Sequence, residues 1–179
     1  MPEDPRILVV DDHEDTLFAL ESALAPLGHE LACATSGEAA LKELLHGHVG
    51  LILLDLRMPG INGLDVVRYA RGLEQTQHIP IILISGLGLT HEESLSAFRL
   101  GVADVVMKPV DPLILRTKVR YLYGTYHEAQ DLRTELADLR TQLAAHDIPP
   151  PLGGPYEELD LPPTGARDTT PPTPPPTAP

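Results

Sequence analysis

Five side chains in this sequence are of the types that handle phosphate and a hard cation, and each stands at the end of a short, largely apolar stretch that reads as a strand. Asp11 and Asp12 follow Arg6-Ile-Leu-Val-Val10, Asp55 follows Leu51-Ile-Leu-Leu54, Ser85 follows Ile79-Pro-Ile-Ile-Leu-Ile84, and Lys108 follows Val102 to Met107. Aliphatic runs of this length, stopped by charge, Gly or Pro, read as strands buried on both faces, as in the middle of a parallel sheet. Three carboxylates brought together repel one another and raise their pKa values unless a cation neutralises them. Oxygen ligands with access to water suit Mg2+. With a metal held by Asp12 and Asp55, one oxygen of Asp55 is left as a nucleophile toward phosphorus, giving an aspartyl phosphate. The metal, Lys108 and the Ser85 hydroxyl then share the charge on the phosphoryl oxygens. Taken singly, Asp55 has a plainer reading as an acid that only caps the turn after its strand.

The elements between these residues explain how they meet. Leu17, Leu20, Leu24 and Leu27 recur at helical spacing from Glu14 to Leu27, where Gly28 closes the helix. Glu30 to Thr35 reads as a short strand. Gly37 to His46 reads as a helix with Ala40, Leu41, Leu44 and Leu45 on one side. Asn62 is placed to cap a helix reaching about Gly72, and Thr90 with Glu93 forms a capping box for a helix ending at Gly101. Asp111-Pro112 opens the last and longest helix, with proline in the first turn, where its missing donor costs nothing. Strand and helix alternate five times, which predicts an α/β fold: a doubly wound, five-stranded parallel sheet with helices on both faces and right-handed crossovers. Ligands and chemistry collect at the carboxyl edge of such a sheet, and all five candidate residues stand there.

Val10-Asp11-Asp12, Asp55 with Met58-Pro59-Gly60-Ile-Asn-Gly63, Ser85, and Lys108-Pro109, in this order and spacing, resemble the receiver domain of two-component response regulators. The resemblance covers about residues 6–123 and implies a flavodoxin-like receiver fold with an extended C-terminal helix. It implies that Asp55 takes a phosphoryl group from a histidine kinase, that Asp12, Asp55 and the main-chain carbonyl of Arg57 bind Mg2+, and that Asp11 contributes through water. It further implies a cis bond before Pro109, and a small residue, Gly86, that leaves the phosphoryl site open to its donor. Such a protein is a phosphoacceptor with its own phosphorylation and dephosphorylation chemistry rather than a conventional enzyme. One position departs from the pattern. The family places Tyr or Phe three residues before the lysine, and its ring turns inward on phosphorylation; here Val105 holds that place, a stiff side chain with no ring to swing.

Two other families with this architecture fit less well. A nucleotide or flavin binder needs an amide-rich Gly, Ser or Thr loop after the first strand, where this chain has Asp11-Asp12-His13-Glu14. A haloacid-dehalogenase-like phosphatase resembles this chain in its aspartyl phosphate but carries a second acid two residues after the nucleophile, where Arg57 stands.

The 179 residues carry a formal charge of -13, which argues against a nucleic-acid surface. No apolar run is long enough to span a bilayer, and Met-Pro-Glu-Asp-Pro lacks the features of a secretory signal, so a cytoplasmic protein is expected. Cys33, the only cysteine, reads as a small buried filler, and the eight histidines lack metal-ligand spacing.

Beyond the receiver-like part, Ala129, Leu132, Leu136, Leu139 and Leu143 alternate steps of three and four, a short a/d seam over residues 124–146. Glu128 and Glu135 then occupy g, and Arg133 and Arg140 occupy e five residues later, the pairing of a parallel homodimeric coil. A helix covering its own domain or another protein is the alternative. Gly124 marks a candidate kink between the two helical parts. Residues 147–179 hold twelve of the 19 prolines and read as a disordered tail, with Tyr156 to Leu161 as a candidate docking segment. What remains is too short for a DNA-binding or catalytic output domain. The expected function is therefore a response regulator that signals by dimerisation or partner docking. A phosphorelay intermediate or phosphate sink and a constitutive dimeric scaffold are the alternatives.

Overall fold

In the computed structural model the described residues are 4–86 and 89–145. Five strands, β1 (Arg6–Val10), β2 (Leu31–Ala34), β3 (Val49–Asp55), β4 (Ile81–Ser85) and β5 (Asp104–Met107), form one sheet in the order β2-β1-β3-β4-β5. Every pairing is parallel. The helices α1 (Glu14–Leu24), α2 (Gly37–His46), α3 (Gly63–Gly72), α4 (His91–Arg99) and α5 (Pro112–Ala145) alternate with the strands. This is the expected doubly wound fold.

Strand side chains point alternately to the two faces, and the core divides accordingly. Leu8, Val10, Ile52, Leu54, Ile81 and Leu83 pack with Ala40 and Leu44 of α2, Val66 and Val67 of α3, and Ala97 of α4. Ile7, Val9, Leu51, Leu53, Ile82 and Ile84 pack with Leu17, Leu20 and Leu24 of α1 and with Leu115, Val119 and Tyr123 of α5. All seven residues of the central strand β3 are buried, which accounts for its unbroken apolar run.

Several expectations change in detail. α1 stops at Leu24 and a 3-10 turn, Ala25–Leu27, carries the chain on, because Pro26 cannot donate to a fourth turn of α-helix. Gly28 ends it at φ +73°. β4 starts at Ile81, not Ile79, since Pro80 has no N–H for the ladder and offers only its carbonyl, which accepts from Ile52 N. β2 is confined to Leu31–Ala34 and β5 to Asp104–Met107. Leu45 does not share the buried side of α2 but is exposed. Cys33 is exposed as well: β2 is an edge strand, and this side chain has no further strand beside it. α5 runs through Gly124 as one continuous helix, and a Cβ there would meet nothing within 4 Å.

Contacts gather Met1–Leu136 into one unit and Ala137–Pro179 into a second. Within the first, Tyr126 packs against the α2–α3 core, two turns of helix past Val119. In the second, Ala137–Ala145 are helical. The Pro-rich tail and the Tyr156–Leu161 segment lie outside the described residues.

Candidate functional site

The sheet brings the chemistry-bearing residues to its carboxyl edge by register. Asp55 is the last residue of β3 and pairs with Ile84, one residue before Ser85, which in turn pairs with Met107, one residue before Lys108. The Lys108 N–H donates to the Ser85 carbonyl at 2.8 Å, tying the two ends together. Asp11 lies one residue past β1, where its N–H donates to the Ala34 carbonyl. Asp11, Asp55 and Ser85 are buried, a rare state for acids unless they are paired.

Lys108 supplies the pairing. Its Nζ lies 2.7 Å from Asp55 Oδ1 and 2.7 Å from Asp11 Oδ2. The second oxygen of each acid accepts a main-chain amide two residues on: Arg57 N to Asp55 Oδ2 at 2.8 Å, and His13 N to Asp11 Oδ1 at 2.9 Å. Each Asp55 oxygen thus has one hydrogen-bond partner and keeps a lone pair for chemistry. Burial raises the Asp55 pKa above the usual carboxylate range; the hydrogen bond and charge of Lys108 oppose this, and Asp11 adds to it. Burial works to lower the Lys108 pKa, but its hydrogen bonds to Asp11 and Asp55 outweigh burial and lift it. One ammonium among Asp11, Asp12 and Asp55 leaves an excess of negative charge.

Asp11, Asp12 and His13 each place a ligand atom within 4.8 Å of the others. His13 Nδ1 lies 3.0 Å from Asp12 Oδ1 and 3.4 Å from Asp11 Oδ1. His13 lacks the usual metal-ligand spacing to other histidines in the sequence; its adjacency to two acids is the signal that points to it. The Arg57 main chain anchors Asp55 as described, while its guanidinium reaches α4, with Nη2 2.6 Å from Glu93 Oε1. Between them lies a cleft of about 490 Å³, bordered by Asp12, Arg57, Met58, Asn62 and Glu93.

The turn after Asp55 is shaped to hold it. Gly60 sits at φ +74°, in the left-handed region where glycine carries no Cβ penalty. At Gly63 a Cβ would lie 2.5 Å from the Asp55 carbonyl oxygen, so only glycine lets α3 start this close to the end of β3. Asn62 caps α3 through Oδ1, which accepts from Asp65 N. The Lys108–Pro109 bond is cis. A Cβ at Gly86 would meet only the Lys108 stem, at an ordinary 3.7 Å. Val105 is half-buried and packs on the α2–α4 side of the core.

The family model for the response regulator receiver domain matches residues 7–120. The chain belongs to the response regulator receiver family. The receiver is 36% identical over 117 residues to the response regulator PleD of Caulobacter vibrioides, covering 65% of this chain and 26% of that protein. It is 35% identical over 116 residues to the transcriptional regulatory protein AfsQ1 of Streptomyces coelicolor, covering 65% of this chain and 50% of that one. It thus spans about a quarter to a half of these relatives. A response regulator receiver protein from Pseudomonas putida superposes with a TM-score of 0.60 at 33% identity, covering 70% of this chain and 99% of that one. A CheY-like receiver domain protein from Methanospirillum hungatei shares the fold, with a TM-score of 0.65 at 24% identity over 71% of this chain and 99% of that one. Among the described residues no helix is long and apolar enough to cross a membrane.

Proposed function

We propose that this receiver is the phosphoacceptor of a two-component pathway, with Asp55 taking its phosphoryl group from a histidine kinase or phosphotransfer protein. An Asp55 oxygen attacks phosphorus, the P–N bond to the donor imidazole breaks, and its electron pair stays on that nitrogen. An acyl phosphate on Asp55 results. The observation that carries this reading is the Lys108 ammonium held 2.7 Å from Asp55 Oδ1, a fixed cation where phosphoryl charge would gather. Ser85, buried at the end of the adjacent strand, would add its hydroxyl.

The donor set suits a hard divalent ion: buried and half-buried carboxylate oxygens in excess over one ammonium, next to an open cleft. Asp11, Asp12, Asp55 and the Arg57 carbonyl would hold Mg2+, which when bound supplies charge neutralisation at the phosphoryl oxygens. Lys108 keeps Asp55 oriented, and the Arg57 amide fixes its second oxygen.

Output passes to a second copy or a docking partner. Leu132, Leu136, Leu139 and Leu143 are all about half exposed on α5, and the Glu128–Arg133 and Glu135–Arg140 register supports a parallel homodimer. Val105 supports a rival reading, a constitutive dimeric scaffold that has lost its switch. Light scattering on wild type and Asp55→Asn, each before and after incubation with a histidine-phosphorylated phosphotransfer protein and Mg2+, separates the two. A phosphoryl-dependent change in assembly or partner binding in wild type alone supports the switch. Identical behaviour of both proteins supports the scaffold.

A further inference from the structure

Arg57 joins the acceptor residue to α4 through a continuous chain of polar contacts. Its main-chain N–H donates to Asp55 Oδ2 at 2.8 Å, and its Nη2 lies 2.6 Å from Glu93 Oε1. The other oxygen of that carboxylate, Oε2, accepts from Thr90 N at 2.9 Å and Thr90 Oγ1 at 3.1 Å, while Glu93 N donates back to Thr90 Oγ1. One carboxylate therefore serves both the capping box of α4 and the guanidinium beside the phosphorylation site. α4 is short and weakly held: of its nine residues only Ala97 is fully buried. Elements with so few buried contacts are the ones that open locally.

We propose that Arg57 and Glu93 form a charge latch on α4 that a phosphoryl group on Asp55 opens. This rests on Asp55 being the phosphoacceptor. A phosphoryl group brings close to two negative charges and three acceptor oxygens to a residue two positions from Arg57, and a guanidinium pairs with phosphate in bidentate fashion. The carboxylate of Glu93 offers it one charge and one contact, in a pair more than a quarter exposed on either side. The guanidinium turns to the phosphoryl oxygens, and Glu93 is released to Thr90 alone. The first turn of α4 then loses its tie to the β3–α3 loop. A signal reaches α4 in this way without a ring at position 105, where Val105 cannot supply one.

Amide hydrogen exchange in α4 tests the latch on the full chain, as wild type, Arg57→Gln, Glu93→Gln and the double variant, each with and without Mg2+ and a small phosphodonor. Intact mass on the same samples reports phosphorylation. Gln at 93 keeps the capping box, so it removes the ion pair and leaves the cap. In wild type, phosphorylation should speed exchange in the first turn of α4 by about two- to fivefold, as expected for losing an exposed ion pair. Both single variants should exchange at the faster rate before phosphorylation, and the double variant no faster than either. The latch is overturned if phosphorylated wild type, verified by mass, shows unchanged α4 exchange, or if the single variants exchange as slowly as unphosphorylated wild type. Absence of any mass gain in wild type overturns the phosphoacceptor reading itself, and the mass separates that result from failure of the latch.

Discussion

The Lys108 ammonium lies 2.7 Å from Asp55 Oδ1, and it is shared: Asp11 Oδ2 stands at the same distance. With two buried acids on one cation, Asp55 is under-neutralised, and burial holds its pKa above the usual range. A carboxyl whose folded pKa is raised binds its proton more tightly when folded. Its contribution to stability is complete below the unfolded pKa of roughly 4 and is lost as pH rises through the folded value. Asp55→Asn removes that loss and leaves Lys108 paired with Asp11. At pH 7 the variant should be more stable by on the order of 1 kcal/mol, a few degrees in Tm, and the gap should close as pH falls toward 4. Thermal unfolding across this range checks it; a variant less stable than wild type at pH 7 would show that the Lys108 contact outweighs the burial of charge.

Gly63→Ala should damage the fold and the site together. Its Cβ would meet the Asp55 carbonyl oxygen at 2.5 Å and Leu56 Cα at 2.9 Å, both main-chain atoms with little freedom to retreat. A loss of about 1–3 kcal/mol in urea unfolding is expected, as for overpacking a tight contact. Phosphoryl uptake should slow as well, because the displaced residue is the proposed acceptor.

Exposure does not make Cys33 reactive. Partial desolvation, then the hydrogen bond from Sγ to Glu21 Oε1 at 3.1 Å and the charge of that acid, push its thiol up to about 12. Alkylation at pH 8 should run at least about tenfold slower than for an unperturbed thiol, and Glu21→Gln should recover part of the rate. An ordinary alkylation rate in wild type would refute this account of the Glu21 contact.

The α5 stripe makes a separate prediction. Leu132→Lys or Leu139→Lys places a charge on a face that wild type leaves apolar; if the proposed parallel coil forms, light scattering should show a dimer in wild type and its loss in the variants, with the receiver still folded by circular dichroism. An unchanged mass in solution would remove the parallel coil from the account.

Much of this architecture was legible because each strand is largely apolar and is stopped by charge, Gly or Pro. Asp55, Ser85 and Lys108 fall at the ends of adjacent strands, and alternation predicts that those ends share one edge; the register that aligns them is set by the structure. The capping box of Thr90 and Glu93 and the Asn62 cap were equally plain, being local hydrogen-bond patterns. What escaped were facts set by neighbours distant in sequence. The exposure of Cys33 depends on β2 lying at an edge, and the continuity of α5 through Gly124 on packing either side of it. Arg57 meeting Glu93, 36 residues away, has no sequence signature at all.

The most direct test of the central claim is intact mass after incubation with a small phosphodonor and Mg2+, on wild type, Asp55→Asn and wild type with the metal chelated. The account predicts that wild type gains one phosphoryl group, that the variant gains none, and that chelation abolishes or strongly slows the gain. Phosphorylation of Asp55→Asn to the same extent, or a wild type that takes no phosphoryl group from any donor, would contradict it.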